Sequence, residues 1–393
     1  RFVVRKIAVH DTTKDRGFCV PAGILTTDWN DLVNDPEIDV IVELIGGVAE
    51  ASRLVRAALT AKKMVITGNK ALLAEEGHEL VALAEKEDVP LYFEAAVAGG
   101  IPIIKVVREA LVGNHIQSIY GIINGTSNYI LTRMADAELD YAVALKEAQD
   151  LGYAEANPTF DVDGVDSAHK LAILTALAYG VPPDTEHMYV EGIRNITLND
   201  IAYAAEMGYR IRLLGISEVS DNRITQRVHP CLLTDRSPIA NIDGVLNAVM
   251  VECDELGPLL MEGAGAGATP TASAVISDIV ECARGIPIPA FTSSTRMLDT
   301  EPFSSMEEHQ GAYYIRLNVK DNPGVLSAVT SALSKETIGL DSVLQKGHKQ
   351  SDSAQVALTT FPATEKTVKK ALRSIAAMEY VLEPPHVIRI EEV

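Results

Sequence analysis

The chain has 393 residues, which at about 150 residues per domain is enough for two to three domains and excludes a small disulfide-stabilised scaffold. Lysine and arginine total 34 and aspartate and glutamate 54, so the net charge of −20 argues against nucleic acid and anionic membrane surfaces as partners. The apolar runs are shorter than the roughly 18 to 20 residues of a membrane-spanning helix, and no signal peptide opens the chain. We therefore expect a soluble, cytoplasmic protein.

Short apolar runs alternate with amphipathic helical patterns over the first hundred residues. The runs FVVRKIAVH, DVIVELI, KMVIT and PLYFE are typical of strands buried on both faces, and helical spacing covers 49–62 and 72–87. This alternation predicts a parallel sheet, whose ligand loops follow the carboxyl ends of the strands at 43–47 and 67–70.

The first strand of a dinucleotide-binding sheet and its G-x-G-x-x-G turn are missing, because the chain opens on what resembles the second strand. That strand would place His10 and Asp11 at a cofactor's adenine ribose and Lys14 and Arg16 near a 2′-phosphate, although an ordinary charged loop explains them equally well. The string GAGAGA at 263–268 lacks the βαβ frame of a phosphate-binding fingerprint. We expect the chain as given to bind cofactor poorly, and to bind it normally after about 30 further N-terminal residues.

Longer helical patterns and later strands predict a second domain. The predicted helices cover 126–138, 140–150 and 163–179, and apolar segments between 210 and 263 predict strands of a mixed sheet. A further helix over 270–286, with Thr269 as N-cap and Pro270 as its first residue, is expected to pack back on the first domain. The aperiodic stretch 294–311 is predicted to be a linker.

The last 82 residues follow the order β-α-β-β-α-β, which predicts a ferredoxin-like sandwich. Its first helix is preceded by the motif DNPGVL, in which free backbone donors of a helix start would bind a carboxylate. A plain helix start is the equally weighted alternative. The residues of this motif are Asp321, Asn322, Pro323, Gly324, Val325 and Leu326.

The segment 151–180 combines acidic residues with a lysine at the start of an apolar helix. Glu155 stands in a loop, and Asp163, Asp166 and Lys170 share one helix face at positions i, i+3 and i+7. An exposed Asp166–Lys170 ion pair is one explanation, and acids that bind a ligand amine are the other. A calcium loop is excluded because Val165 occupies the third ligand position.

The four cysteines form no Cys-x-x-Cys pair, and we find no neighbouring histidine at zinc-ligand spacing. The nine histidines are scattered as well. We therefore expect reduced, mostly buried thiols and no catalytic zinc site. The cysteines are Cys19, Cys231, Cys253 and Cys282.

The most specific pattern in the chain is a run of spaced residues, namely Ala148, Gly152, Tyr153, Asn157, Pro158, Asp161, Gly164, Asp166 and Lys170. This run resembles the signature of the homoserine dehydrogenase family, and GNKALLA, FEAAVAGGIPII and NGTSNYIL are similar to the same family. The C-terminal part resembles an ACT domain, a small-molecule sensor that some bacterial members carry. We thus predict an α/β protein with an incomplete Rossmann-like domain at 1–105, an α+β catalytic and dimerisation domain with a mixed sheet at 106–300, and a ferredoxin-like ACT domain at 312–393.

The resemblance implies NAD- or NADP-dependent interconversion of L-aspartate 4-semialdehyde and L-homoserine, a step in threonine, methionine and isoleucine biosynthesis. By the matched motifs, Lys170 and Lys70 are catalytic, and Glu155 and Asp166 bind the substrate amino group. An ammonium beside the carbonyl would stabilise the alkoxide that hydride transfer creates and would deliver a proton to it.

The resemblance implies further binding residues. Substrate carboxylate would be bound at a helix start, although N-capping explains its residues Thr126 and Ser127 as well. A sodium ion would be held mainly by backbone carbonyls, although a glycine-rich turn also explains that segment; its residues are Glu94, Val97, Gly99 and Ile101. The expected cofactor contacts are Gly46, Gly47, Asn69, Lys70, Gly152, Gly265 and Gly267.

Regulation and assembly follow from the same resemblance. We expect threonine to act as a feedback effector at residues 321–326, and we expect a homodimer or homotetramer. The alternative is a catalytically silent amino-acid sensor built on a dehydrogenase body. The presence of both Lys70 and Lys170 argues against that alternative.

Overall fold

The computed structural model describes residues 2–221, 223–285, 288–292, 295, 303–347 and 352–393. The chain divides into two compact units. The first comprises Arg1–Ile116, His169–Glu186 and Glu252–Glu301, and the second comprises Gln117–Ala168, His187–Val251 and Pro302–Val393. The three-domain division proposed from the sequence stays a prediction. Within the described ranges, no helix combines the length and the hydropathy needed to cross a bilayer.

Strands and helices alternate in the N-terminal part of the chain, whereas further along helices follow one another between residues 125 and 179 and strands follow one another between residues 209 and 264. The strands are β1 Ile7–Ala8, β2 Leu25–Thr26, β3 Val40–Glu43, β4 Met64–Thr67, β5 Leu91–Tyr92, β6 Ile116–Ile122, β7 Tyr189–Val190, β8 Tyr209–Ser220, β9 Arg223–Thr234, β10 Leu246–Cys253, β11 Gly257–Ala264, β12 Gln310–Lys320, β13 Leu340–Gly347, β14 Ser353–Thr360, β15 Ala363–Thr364 and β16 His386–Glu391. The α-helices are α1 Asn30–Val33, α2 Ala49–Thr60, α3 Lys70–Glu87, α4 Ile103–Lys105, α5 Gly125–Asp136, α6 Tyr141–Asp150, α7 Thr159–Val162, α8 Val165–Tyr179, α9 Leu198–Glu206, α10 Ala268–Arg284, α11 Val325–Lys335 and α12 Glu365–Ala376.

The first unit is built on the predicted parallel sheet, with strand order β3-β4-β5. Helix α10 packs on this sheet, where Val275 and Cys282 contact Ile66 and Tyr92. The N-terminal segment forms only the two-residue strand β1, which pairs in parallel with β2 in a separate small sheet. The long first strand expected from FVVRKIAVH is therefore wrong for this structure.

The second unit contains a mixed sheet with the order β10-β6-β8-β9-β16-β12-β14-β13. The predicted order β-α-β-β-α-β is present from β12 to β16, apart from the two-residue strand β15. Tyr313, Leu317, Leu333 and Leu358 belong to the apolar core that α11 and α12 form with these strands. Strand β16 pairs with β12 on one side and with β9 on the other, so the C-terminal strands continue the sheet of the preceding region.

Two predicted helix starts are wrong, and glycines explain both. Helix α10 begins at Ala268 with Gly267 (φ 115°) as N-cap, so Thr269 and Pro270 lie inside its first turn, and the helix ends at Arg284. Helix α8 begins at Val165 because Gly164 (φ 86°) separates it from α7, so Asp163 lies outside it. Only Gly has ready access to these backbone angles. Residues 294 and 296–302 of the predicted linker 294–311 lie outside the described residues, and β12 begins at Gln310, so it includes the last two residues of the predicted linker.

Candidate active site

The loops after β3 and β4 are joined by side-chain hydrogen bonds within the first unit. The Glu43 carboxylate, which is fully buried, accepts from the Thr67 hydroxyl at 2.5 Å and from the Ile45 backbone N–H at 2.7 Å. The Asn69 amide donates to the Gly47 carbonyl at 2.6 Å. The two predicted ligand loops are thus held together at the carboxyl edge of the parallel sheet, where open α/β sheets bind ligands.

Lys70 is the first residue of α3, and Asn69 is the N-cap of that helix. The Asn69 side chain accepts from the Leu72 backbone N–H at 3.1 Å, which fixes the helix start. A lysine at the positive end of a helix dipole is unfavourable by about 0.3 to 1 kcal/mol, whereas an anion there is favoured. Gly46 (φ 78°) and Gly47 (φ 69°), in the loop after β3, have left-handed backbone conformations that favour glycine.

Two glycine-rich segments pack against each other in the first unit. The Gly100 backbone N–H donates to the Ala264 carbonyl at 2.8 Å, and a Cβ on Gly100 would lie 2.5 Å from that oxygen. A Cβ on Gly99 would lie 3.4 Å from the carbonyl of Gly265. The string GAGAGA therefore packs closely against the segment expected to hold sodium, and its last glycine, Gly267, is the N-cap of α10.

Glu94 is 2% exposed and lies in a buried cluster of charged side chains. Its carboxylate accepts from the backbone N–H groups of Ile104 (3.1 Å) and Lys105 (3.0 Å), and its own N–H donates to Asp278 at 2.9 Å. Burial and the nearby Asp278 carboxylate raise the pKa of Glu94 to about 7. The neighbouring residues Val97, Gly99 and Ile101 are buried too.

A second set of predicted residues lies in the second unit around Asn124. The Asn124 side-chain amide donates to both Asp161 and Asp166, at 2.8 Å each, and its oxygen caps α5 by accepting from the Ser127 N–H at 2.8 Å. Asp166 is 3% exposed and lies in the first turn of α8. The expectation that Asp163 shares this face is wrong, because Asp163 forms an ion pair with Arg194 instead.

Thr126 and Ser127 bind the loop that precedes α8. The Thr126 hydroxyl donates to the Tyr153 carbonyl at 2.7 Å, and the Ser127 hydroxyl donates to the Asp161 carbonyl at 3.1 Å. Gly152 in the same loop has a left-handed backbone (φ 77°). The hydroxyl groups of Thr126 and Ser127, which were expected to bind substrate, therefore donate to backbone carbonyls of the segment 152–161 and stabilise its conformation.

Glu155 and Lys170 differ in environment. The Glu155 side chain is exposed, and its backbone carbonyl accepts from the Gln149 side-chain amide at 3.1 Å. Lys170 is 8% exposed and follows Asp166 by one turn of α8. After Lys170 the helix is almost wholly apolar and buried through Leu177. The Lys170 ammonium therefore lies at the point where α8 enters the apolar core.

The predicted regulatory motif lines a cavity of about 440 Å³ in the second unit. Gly324 (φ 94°) is the N-cap of α11, and Pro323 precedes it, so the motif does form the start of a helix. Residues 321–326 line the cavity together with Leu317, Val319 and Gln345.

Sequence reasoning missed three residues that organise these loops. Asn124 is a typical N-cap residue placed just before a predicted helix, which was a usable signal. Asp161 belongs to the spaced signature, but its partner on Asn124 was not foreseen. Glu43 was assigned only to a loop, and its burial against Thr67 follows from strand register that the sequence does not give.

Two family models match the chain. Residues 102–280 match the family model described as homoserine dehydrogenase, and residues 1–94 match the one described as homoserine dehydrogenase, NAD binding domain. The homoserine dehydrogenase of Neisseria gonorrhoeae is 44% identical over 384 residues, which cover 96% of this chain and 88% of that protein.

Solved structures agree with this result. The crystal structure of a homoserine dehydrogenase from Thiobacillus denitrificans is 45% identical, with a TM-score of 0.93, over 99% of this chain and 90% of that one. A hyperthermophilic archaeal homoserine dehydrogenase in complex with NADPH is 31% identical, with a TM-score of 0.58, over 68% of this chain and 78% of that one. The chain therefore belongs to the homoserine dehydrogenase family and is an oxidoreductase that uses NAD or NADP.

Proposed function

We propose that the protein interconverts L-aspartate 4-semialdehyde and L-homoserine, with Lys170 and Lys70 acting at the reacting carbonyl and with Glu155 and Asp166 binding the substrate ammonium. The observation that carries this assignment is the Asn124 amide, which holds the carboxylates of Asp161 and Asp166 together at the start of α8. Neighbouring carboxylates favour a cationic ligand, and the amino group of this substrate is one.

The lysines supply the chemistry that a carbonyl oxygen needs. When bound, NADPH or NADH would supply a hydride, and addition of that hydride to the aldehyde carbon would leave negative charge on the carbonyl oxygen. The Lys170 ammonium, largely shielded from water, stabilises that charge and transfers a proton to it. Lys70, at the start of α3, adds positive charge. Thr126 and Ser127 act indirectly, by holding the loop that carries Glu155.

The test is an assay of NAD(P)H consumption with L-aspartate 4-semialdehyde, run with each reduced cofactor and followed by identification of the product. We expect L-homoserine to form in step with cofactor oxidation. Absence of turnover with both cofactors, in protein that still binds an amino acid, would favour the silent-sensor alternative.

A monovalent cation such as sodium is proposed beside Glu94 and the carbonyls of Val97, Gly99 and Ile101. The oxygen donors fit a hard cation, and positive charge there would favour the ionised form of the buried Glu94 carboxylate. The test compares thermal unfolding midpoints in sodium chloride and in choline chloride. Sodium should raise the midpoint of wild type more than that of Glu94→Gln, and equal shifts would remove the proposal.

Threonine feedback is proposed through the cavity beside α11. Backbone N–H groups at the start of this helix suit the carboxylate of an amino acid, and the Asp321 carboxylate suits its ammonium. A ligand there inhibits only if it binds one arrangement of the enzyme more tightly than another.

Point variants test this proposal better than deletion of 312–393, because deletion would remove β12 and β16 from the sheet of the second unit. Asp321→Asn should weaken inhibition by threonine and leave uninhibited turnover unchanged. Glu379→Gln, which changes an exposed carboxylate that does not line the cavity, is the matched control. Equal inhibition of both variants by threonine would refute the assignment.

We propose that the protein assembles as a homodimer or homotetramer. Strand β13 ends the sheet of the second unit and has one free edge within the described part of the chain, which suits pairing with a second copy. Light scattering measures the molar mass, and a monomer at assay concentration would contradict the proposal.

A further inference from the structure

A fully buried carboxylate lies beneath the loop that follows β3 in the first unit. Glu43 is the last residue of β3 and is 0% exposed, whereas the next two residues, Leu44 and Ile45, are 58% and 43% exposed. Among the described residues, hydrogen-bond donors bind this carboxylate and no lysine, arginine or histidine does. A buried charge without an opposite charge is costly, and such costs are typical of functional sites.

The Glu43 carboxylate joins the loop after β3 to the end of β4. Its Oε1 accepts from the backbone N–H of Ile45 at 2.7 Å and, over a longer distance of 3.4 Å, from that of Gly46. Its Oε2 accepts from the Thr67 hydroxyl at 2.5 Å. Glu43 and Thr67 are partners in the parallel register of β3 and β4, so strand pairing holds the two side chains beside each other.

The same network continues to the start of α3. The Thr67 hydroxyl oxygen accepts from the backbone N–H of Asn69 at 3.0 Å. The Asn69 amide in turn donates to the Gly47 carbonyl at 2.6 Å. The loop is therefore bound at its beginning, through the Ile45 N–H, and at its end, through the Gly47 carbonyl. Both attachments meet at the Thr67 hydroxyl, which is bound to Glu43.

The outer side of this loop is open. A Cβ built on Gly46 or Gly47 would meet no neighbouring atom of the described residues within 4 Å. The loop also exposes the apolar side chains of Leu44 and Ile45. The N–H groups of Ile45 and Gly46 are bound to Glu43, so the phosphates of a cofactor could use them only by breaking the network. The loop thus presents glycine backbone and apolar side chains in a conformation that exists before a ligand binds.

We infer that Glu43 is a positioning residue that raises the affinity for the nicotinamide cofactor by holding the loop 44–47 in its binding conformation. The inference rests on the expected cofactor contacts of Gly46 and Gly47. Because the carboxylate is fully buried, it acts through the loop and does not touch the cofactor. A loop that had to be ordered on binding would lose conformational entropy at that moment, and the affinity would fall.

A role in stability alone predicts a different result. In that case, loss of the carboxylate would lower the thermal unfolding midpoint and would weaken the binding of cofactor and substrate by similar factors. The double variant Glu43→Leu/Thr67→Val distinguishes the two roles. It replaces both partners by apolar groups of similar size, and such paired replacements can be nearly neutral for stability because neither partner is left unpaired.

The experiment measures the dissociation constants of the full chain for NADPH and for NADH, from the change in their fluorescence on binding. We expect the double variant to raise the constant for the preferred cofactor at least tenfold, with a thermal midpoint close to that of wild type. The KM for L-aspartate 4-semialdehyde at saturating cofactor should change less than twofold.

Two single substitutions and a control sharpen the result. Thr67→Val, which removes the hydroxyl, should raise the dissociation constant at least threefold, whereas Thr67→Ser, which keeps the hydroxyl, should have the wild-type value. Glu76 is another carboxylate of the first unit that accepts from a hydroxyl, that of Ser52 at 2.6 Å. Glu76→Leu should therefore leave cofactor binding unchanged.

A wild-type dissociation constant in the double variant would overturn the inference, and so would equal increases in the dissociation constant and in the KM. If the double variant folds poorly, Thr67→Val is compared with Thr67→Ser, and equal constants in these two variants would overturn the inference. Wild type that binds cofactor but does not turn over L-aspartate 4-semialdehyde would remove the proposed reaction, and the dissociation constants would still decide the role of Glu43.

Discussion

Two acidic regions of the second unit differ in how the protein compensates their charge. At the junction of β9 and β16, Glu391 and Glu365 are buried and each is bound by a guanidinium. At the start of α8, a neutral amide joins Asp161 to Asp166, and in the loop before α7 the Glu155 carboxylate is exposed without a hydrogen bond or ion pair to any described residue. Buried carboxylates that are bound by guanidinium groups of the protein stabilise the fold, whereas an exposed carboxylate is available to bind a ligand. Substitutions at the junction of β9 and β16 should therefore lower stability, whereas substitutions around the start of α8 should lower activity.

The largest expected effect is on stability, from Arg389→Met. Arg389 and Glu365 are each 2% exposed and lie 2.6 Å apart, so removal of the guanidinium leaves the buried Glu365 carboxylate with the half-exposed Lys369 ammonium, at 3.4 Å, as its remaining ionic partner among the described residues. We expect a loss of about 3 to 5 kcal/mol in the free energy of unfolding, measured by urea titration. The double variant with Glu365→Gln should recover part of the loss. Arg133→Met, which breaks the half-exposed pair with Glu147, should cost less than about 1 kcal/mol.

Glu94 is a buried carboxylate of the first unit. Its pKa is raised to about 7, chiefly by burial and then by the nearby Asp278 carboxylate. An acid with a raised folded pKa binds more protons in the folded state, so the folded state loses stability as pH rises from about 4.5 to about 7. The loss amounts to about 3 kcal/mol. Glu94→Gln should remove most of this slope in urea titrations across that range. An unchanged slope would show that Glu94 is ionised in the native protein.

Lys170→Met should act on turnover and not on the fold. Loss of the group that protonates the alkoxide should lower kcat by at least about 100-fold. Circular dichroism and the thermal midpoint should stay close to wild type, and Lys146→Met, on an exposed helix face, should keep full activity. Wild-type turnover in Lys170→Met would remove Lys170 from the mechanism.

The sequence predicted those parts of the fold that local patterns determine. Strands β3 to β5 and helices α2, α3, α5 and α6 follow from apolar spacing, and each lies within a few residues of its predicted position. The starts of α8 and α10 could not be predicted in the same way, because the left-handed backbones of Gly164 and Gly267 depend on packing around them. Asp163 was misplaced for that reason.

The pairing of strands that are distant in the sequence could not be predicted either. Arg227 and Arg389 lie in segments that were taken as strands of separate domains, and nothing in their spacing shows that β9 and β16 are neighbours. The ion pair between Arg227 and Glu391, and the position of Glu391 beside His229 and Cys231, follow from that pairing. At the site, motif residues were predicted one by one, whereas the Asn124 bridge required the folded loop.

The smallest expected effect tests the exposed side of the comparison, through Glu155→Gln. If Glu155 binds the substrate ammonium, the KM of the Glu155→Gln variant for L-homoserine should rise about tenfold. This increase corresponds to the loss of roughly 1.4 kcal/mol of binding free energy from one solvent-exposed charged contact. The kcat and the thermal midpoint should stay unchanged. Glu138→Gln, also exposed, should leave the KM unchanged. A substrate without the amino group, 4-hydroxybutanoate, should be used equally poorly by wild type and Glu155→Gln, because the contact is already absent. A further loss with that substrate would place the effect of Glu155 on the loop and not on the ammonium.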